Sequence, residues 1–340
     1  MTGNRAALRT AILVALCLQN AGYTLLRKYS MMSENVSSKE ILLVGEFIKL
    51  AVSIWFLYND VDISDAQGAG ISKMIWLIKN SQKMFILAGI YGAMNILSFV
   101  ALLYIGAGEF TVCAQLKILT TAGFSVLILG TSLSWTKWRA LTLLVLGCIL
   151  VASPSFTSHG KSSNLSSGAN SFLQLFGYGA VLAEVCLSGF ASIYFEKVVK
   201  STSEKITIWE RNFQLSIYSI IMYSFIIAYE SNDDHKAWSN WTIITVLVSI
   251  LGAAGGLLVA ATLKYADSIL KTLATAGAIV LATILGHLLL NGPFTIIVCI
   301  GALCTIIAIF NYTMDSSIPS NVIAVAKESV SNYSEQQTKP

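Results

Sequence analysis

The chain has 340 residues, of which 55% are hydrophobic and only 12% charged, with a net charge of +4. Soluble domains run near a quarter charged, so this composition leaves too little polar surface to wrap a water-soluble globule. The basic residues are scattered rather than clustered, which excludes a nucleic-acid-binding patch.

The apolar residues fall into separated blocks, each long enough as a helix to cross a hydrocarbon core of about 30 Å. Ten spans are predicted, near residues 8–26, 40–58, 84–104, 110–129, 136–153, 172–193, 207–229, 240–262, 268–289 and 294–312. The first block follows Arg5 and Arg9 as a signal peptide would, but it has no clear small-residue cleavage site and reads as a retained helix. Transmembrane strands would need alternation over about ten residues, which is absent, so the expected class is an all-α membrane protein. The longest interruptions are Asn59–Lys83, the Ser/Gly/Asn-rich Ser153–Ser171, and a polar tail after Thr313 that reads as disordered. The six cysteines (Cys17, Cys113, Cys148, Cys186, Cys299 and Cys304) all lie inside apolar blocks with no CxxC pair. They read as small packing residues, with neither a disulfide framework nor a metal site.

With ten helices both termini share a side. That side collects fourteen Lys and Arg against five on the other, which places both termini in the cytosol. Sequons at Asn35, Asn164 and Asn240 then fall on the lumenal side, and those at Asn311 and Asn332 would stay silent.

Leu116-Lys117-Ile118-Leu119-Thr120-Thr121-Ala122-Gly123 recurs 154 residues later as Leu270-Lys271-Thr272-Leu273-Ala274-Thr275-Ala276-Gly277. The copies fall in the fourth and ninth spans. Residues 1–153 and 172–313 therefore read as two five-helix repeats, joined by a lumenal linker at 154–171 and followed by a cytosolic tail at 314–340. Five is odd, so the second repeat enters inverted, the architecture of alternating-access carriers with the substrate site where the halves meet.

Ionisable groups inside a bilayer are costly and mark cavities or partners. Glu46, Lys49, Lys117, Glu184 and Lys271 are the candidates. Glu46 and Lys49, three apart, can pair with each other. Lys117 and Lys271 have no acidic neighbour three or four residues away inside their spans; Asp267 stands at the lip of the ninth span, where it can cap the helix. Two unpaired lysines at repeat-related positions would give a central cavity about two positive charges, suited to the two negative charges of a pyrophosphate. The competing reading is that each snorkels to a headgroup. Thr121 and Thr275 follow the lysines by four residues on the same face; their hydroxyls can reach a phosphate, a ribose or their own backbone. Tyr91 with Asn95, and Asn212 with Ser216 and Tyr218, offer the ring and amide that a pyrimidine base needs, or ordinary interhelical packing. Glu184, in mid-span, can pair with a lysine, line the cavity or couple protons.

These residues resemble the nucleotide-sugar transporter family, in the branch of the UDP-galactose, UDP-N-acetylglucosamine and CMP-sialic acid transporters. The likeness is carried by Gln115 to Ala122 with Phe124-Ser125-Val126-Leu127, by Gly189-Phe190-Ala191 with Tyr194-Phe195-Glu196-Lys197, by Arg211 to Leu215, and by Gly255-Gly256-Leu257 through Lys264 to Lys271. It implies a drug/metabolite-transporter fold and exchange of a nucleotide-sugar for a nucleoside monophosphate, with no cofactor. It places phosphate on Lys117 and Lys271, and base and ribose on Tyr91, Asn95, Asn212 and Thr121. Departures fall near the expected cavity: Phe110 and Ala114 lack aromatic hydroxyls, Ser268 stands for Asn, Glu184 for a small apolar residue, and Ser216 and Tyr218 invert a Tyr and Ser.

The expected function is import of a UDP-sugar (UDP-galactose, UDP-N-acetylglucosamine or UDP-N-acetylgalactosamine) into the Golgi or ER lumen against the matching monophosphate. A homo-oligomer is compatible with this reading. The alternatives are a CMP-sialic acid/CMP antiporter, a membrane transferase using nucleotide-sugars, and a proton-coupled metabolite exporter. A transferase would need an acidic metal-binding cluster or a catalytic base at a membrane face. Only Asp233-Asp234, in a short lumenal loop, comes near that, so no enzyme is expected.

Overall fold

Without water to satisfy them, backbone N–H and C=O groups in long apolar runs must bond within the segment, which selects helices. In the computed structural model, residues 2–33, 38–59, 71–153, 169–201, 206–230, 238, 241–290 and 294–315 are described, and they hold twelve helices and no strand. In chain order these are α1 (Thr2–Ser33), α2 (Ser38–Asn59), α3 (Ile71–Lys79), α4 (Gln82–Tyr104), α5 (Ala107–Ala114), α6 (Lys117–Leu129), α7 (Trp135–Ala152), α8 (Ala169–Lys200), α9 (Ile208–Glu230), α10 (Ile243–Tyr265), α11 (Ser268–Leu290) and α12 (Ile296–Met314). The predicted sequons at Asn35, Asn164, Asn240 and Asn332, the loop pair Asp233-Asp234 and most of the tail lie outside the described residues.

Local chemistry explains where the helices begin. Ser134, Thr242 and Thr295 accept from the backbone N–H three residues on and open α7, α10 and α12. Thr207 and Glu210 make a reciprocal capping box at the head of α9: Thr207 N–H donates to the Glu210 carboxylate at 2.5 Å, and Glu210 N–H to Thr207 Oγ1 at 3.3 Å. Gly130 ends α6 in the left-handed conformation at φ 65°, which a side chain would resist.

Eight segments among the described residues are long and apolar enough to cross a membrane: they lie in α2, α4, the α5–α6 pair, α7, α8, α10, α11 and α12. The expected spans at 8–26 and 207–229 fall on α1 and α9, which lie outside that group of eight. The polar residues of α9 are turned inward: Glu210, Arg211, Asn212 and Gln214 are all buried. Large apolar side chains face outward instead, Leu127 being 79% and Ile243 77% exposed.

The sequence reading needs three corrections. The expected single helix at 110–129 is two, α5 and α6, joined by a tightened turn in which Gln115 and Leu116 donate to carbonyls only three residues back. The interruption Asn59–Lys83 contains a helix, α3, held on α9 by a Lys73–Glu210 ion pair of 2.8 Å and by Gln214 Nε2 donating to Leu77 O at 2.7 Å. Helices also overrun the predicted bounds: α1 continues to Ser33, and α8 starts at Ala169, within the predicted linker.

Helices pack mainly across the chain's midpoint. Helix α1 lies on α10 and α11, α2 on α9 and α10, α4 on α8 and α9, α6 on α8 and α11, and α7 on α12. The main core joins Ile118 and Ala122 of α6, Leu141, Leu144 and Cys148 of α7, and Ile269, Leu270 and Leu273 of α11. Glycines permit the closest approaches. A Cβ on Gly301 of α12 would lie 2.7 Å from Val151 N and 2.8 Å from Gly147 O of α7. Such backbone cannot give way as a flexible side chain would, so Gly301→Val should cost about 3 kcal/mol. Thermal unfolding in detergent will read this as a melting point several degrees lower.

Candidate functional site

Lysines from the two halves of the chain lie near each other. Lys271, one turn into α11, donates from its ammonium to Ser192 Oγ of α8 at 2.7 Å. Asp267 steadies it from behind: its carbonyl accepts from Lys271 N–H at 3.0 Å, and its carboxylate caps Leu270 N–H at 2.7 Å. Burial raises the Asp267 carboxyl above the usual carboxylate range, and the Leu270 N–H opposes that rise.

Lys117 is the first residue of α6, immediately after the tightened turn. The hydroxyls of Thr120 and Thr121 both donate to its carbonyl, at 3.2 and 2.7 Å, and pin that turn. Thr120 also reaches Val185 O of α8 at 3.0 Å, across a contact so close that a Cβ on Gly189 would sit 2.9 Å from the Thr121 N. The Lys117 side chain is exposed, and among the described residues no ion pair or hydrogen bond engages its ammonium. Its charge is felt at Lys271 on α11, at Glu184 on α8 and at Cys148 on α7. The ammonium is therefore near all three helices. Glu184 has one carboxylate oxygen that is buried and accepts no hydrogen bond among the described residues.

A second polar cluster lies between α2, α4, α9 and α10. Glu46 and Lys49 form a 2.8 Å ion pair, both side chains largely buried. Gly256 of α10 makes room for the lysine: a Cβ there would lie 2.8 Å from Lys49 Cδ. Tyr91 of α4 and Tyr223 of α9 both feel the Glu46 charge, and Asn95 hydrogen-bonds Tyr223. The structure thus gathers Tyr91 and Asn95 with Glu46 and Lys49.

The remaining candidates are held more locally. The Thr121 hydroxyl is spent on its own helix, as is that of Thr275, which donates to Thr272 O at 2.8 Å. Asn212, fully buried, donates to Ile208 O at 3.0 Å, and the buried Ser216 hydroxyl has no partner among the described residues. The Tyr218 hydroxyl meets Ser81 at the α3–α4 turn, with its ring edge-on to Phe85.

Beyond Lys271 the ends of four helices, α1, α8, α10 and α11, are tied together. Glu196 accepts from Ser268 N–H at 2.7 Å and from Lys200 at 2.6 Å; Lys200 also donates to Ala266 O, and Arg9 reaches Asp267 at 3.6 Å. Sequence reasoning missed Ser192, Glu196 and Tyr223. Ser192 and Glu196 carried a readable signal: Glu184, Ser188, Ser192 and Glu196 fall at every fourth position, a polar stripe along one side of an otherwise apolar helix.

Apolar side chains outside and charged groups within define a multi-pass membrane protein with a polar interior. The chain belongs to the nucleotide-sugar transporter family, whose model matches residues 4–313. It is 34% identical to a UDP-N-acetylglucosamine transporter of Rattus norvegicus over 331 residues, covering 94% of this chain and 99% of that one. It is also 34% identical to a UDP-galactose/UDP-N-acetylglucosamine transporter of Caenorhabditis elegans (93% and 85% covered) and 32% identical to a UDP-galactose transporter of Schizosaccharomyces pombe (91% and 88%). A solved crystal structure, 15% identical, superposes with a TM-score of 0.62 over 90% of this chain and 98% of its own, a likeness of fold.

Proposed function

We propose that the chain carries a UDP-sugar across a Golgi or ER membrane in exchange for a nucleoside monophosphate. The observation that carries this reading is the pair of lysines, one from each half, with no carboxylate in ion-pair contact with either among the described residues. Two such cations suit a pyrophosphate, with Lys271 presented by Ser192 and Lys117 open to solute. The base and ribose are assigned to Tyr91, Asn95, Asn212 and Thr121, with Ser216, Tyr218 and Thr275 as further candidates. A vacant site retains uncompensated charge and resists crossing, so return with the monophosphate gives exchange rather than leak.

The pairing of helices supports ten passes in two inverted repeats. Exchanging each pass for the one five later turns α1 on α11 into α8 on α6, and α1 on α10 into α8 on α4. Both members of each swapped pair exist. With ten passes, the excess of Lys and Arg puts the termini in the cytosol. The protein is then a carrier and not an enzyme.

The test is uptake by purified protein in liposomes. Vesicles preloaded with UMP should accumulate labelled UDP-sugar, and empty vesicles should not. Uptake that needs internal CMP would point to CMP-sialic acid. Uptake driven by a pH gradient alone, or conversion of the sugar, would overturn the exchange reading.

A further inference from the structure

Glu184 has no use in the phosphate site, and burial makes it costly. A buried carboxylate oxygen without a donor forfeits its hydration and gains nothing in return. Unsatisfied buried polar atoms are scarce in folded proteins and call for a specific explanation. Its surroundings narrow the choice. The residue sits in the middle of α8, two turns of helix from the Ser192 that holds Lys271. It is near enough to feel the Lys117 charge, yet the two do not form an ion pair. An unsatisfied acceptor therefore lies near an ammonium that does not pair with it among the described residues.

An anionic phosphate would be repelled by Glu184, so it has to lie on the Lys271 side of Lys117. What borders Glu184 must be uncharged and must donate a hydrogen bond. In a nucleotide-sugar the group attached next to the phosphates is the hexose, and its hydroxyls are donors. We propose that Glu184 selects the cargo's sugar, its free carboxylate oxygen accepting a hydrogen bond from a hydroxyl or acetamido N–H of the hexose joined to the phosphate at Lys117. This rests on the phosphate role of Lys117 and Lys271 given above.

A hydrogen bond to a charged acceptor corresponds to about a 10- to 100-fold difference in affinity. The experiment is exchange of labelled UMP in UMP-loaded liposomes, competed with UDP, UDP-galactose, UDP-glucose, UDP-N-acetylglucosamine and UDP-N-acetylgalactosamine. Wild type should rank the sugars and prefer the best of them to UDP. In Glu184→Ala the affinity of that sugar relative to UDP should fall about 10- to 100-fold and the ranking should flatten. Glu184→Gln, whose amide oxygen still accepts, should lie between. Thermal stabilisation of each variant by UMP will show that it is folded. A ranking that survives in both variants would overturn the proposal. So would a uniform gain for every nucleotide, UDP and UMP included, which would make Glu184 a counter-charge to Lys117. If wild type exchanges no UMP at all, the transporter reading falls and takes this one with it.

Discussion

Lys117→Met and Lys271→Met should each lower UDP-sugar exchange by about 10- to 100-fold while leaving the protein as stable as wild type or more so. Each lysine is asked to make a charge-assisted hydrogen bond to phosphate, and one such bond is worth about 1.5–3 kcal/mol. Every 1.4 kcal/mol is tenfold. The stability half of the prediction separates a binding role from a structural one. A cation that holds a fold together does so through a carboxylate; Lys271 has only the neutral Ser192 hydroxyl, and Lys117 has no bond at all among the described residues. Exchanging the Lys271 cation for a thioether relieves its desolvation, and neither exchange breaks an ion pair among the described residues. Transport in liposomes and scanning fluorimetry in detergent, on the same preparations, measure the two halves. Exchange at wild-type rates in either variant would place the phosphate elsewhere. A melting point that drops with the rate would make the lysine structural.

The opposite pattern is expected for Lys73→Met. Here the lysine, on a helix too short to span, meets Glu210 at 2.8 Å with both side chains buried. Removing one member of a buried pair leaves the other charge stranded, at a cost of about 3–5 kcal/mol. Glu210 keeps the Thr207 N–H, which places the expected loss near the lower end, about 3 kcal/mol. Adding Glu210→Gln should recover most of it, because glutamine still closes the capping box and carries no charge to strand. Denaturation midpoints of wild type, single and double variants form the cycle that checks this. A double variant as unstable as the single one would show that the capping carboxylate, not the ion pair, holds α3 to α9.

The hydropathy blocks made most of the helices legible, because a segment with nothing but apolar side chains has one way to satisfy its backbone. The pairing of Glu46 with Lys49 was legible for a similar reason: three residues on one helix is a fixed geometry. Helix α3 was not, since the nine residues Ile71–Lys79 are too few to cross a bilayer and their reason to be helical lies on α9. The turn at Gln115 was hidden because neither glycine nor proline marks it; it is held by threonine hydroxyls and a close glycine on α8. The two lysines could be singled out from a repeat, but the Ser192 partner of Lys271 is 79 residues distant, a contact only the fold creates. The capping box Thr207-Ile208-Trp209-Glu210 was open to reading and fixes where α9 begins.

The close seating of α12 on α7 bears on how the chain is made. During synthesis α7 emerges with its glycine face bare, and the surface that covers it is the last of the described helices to leave the ribosome. The same delay holds for α2, which waits for α9 and α10, and for α6, which waits for α8 and α11. Premature termination shortly before Ile296 would therefore release a product that has eleven of the twelve described helices yet no cover for α7, a substrate for quality control rather than a working carrier.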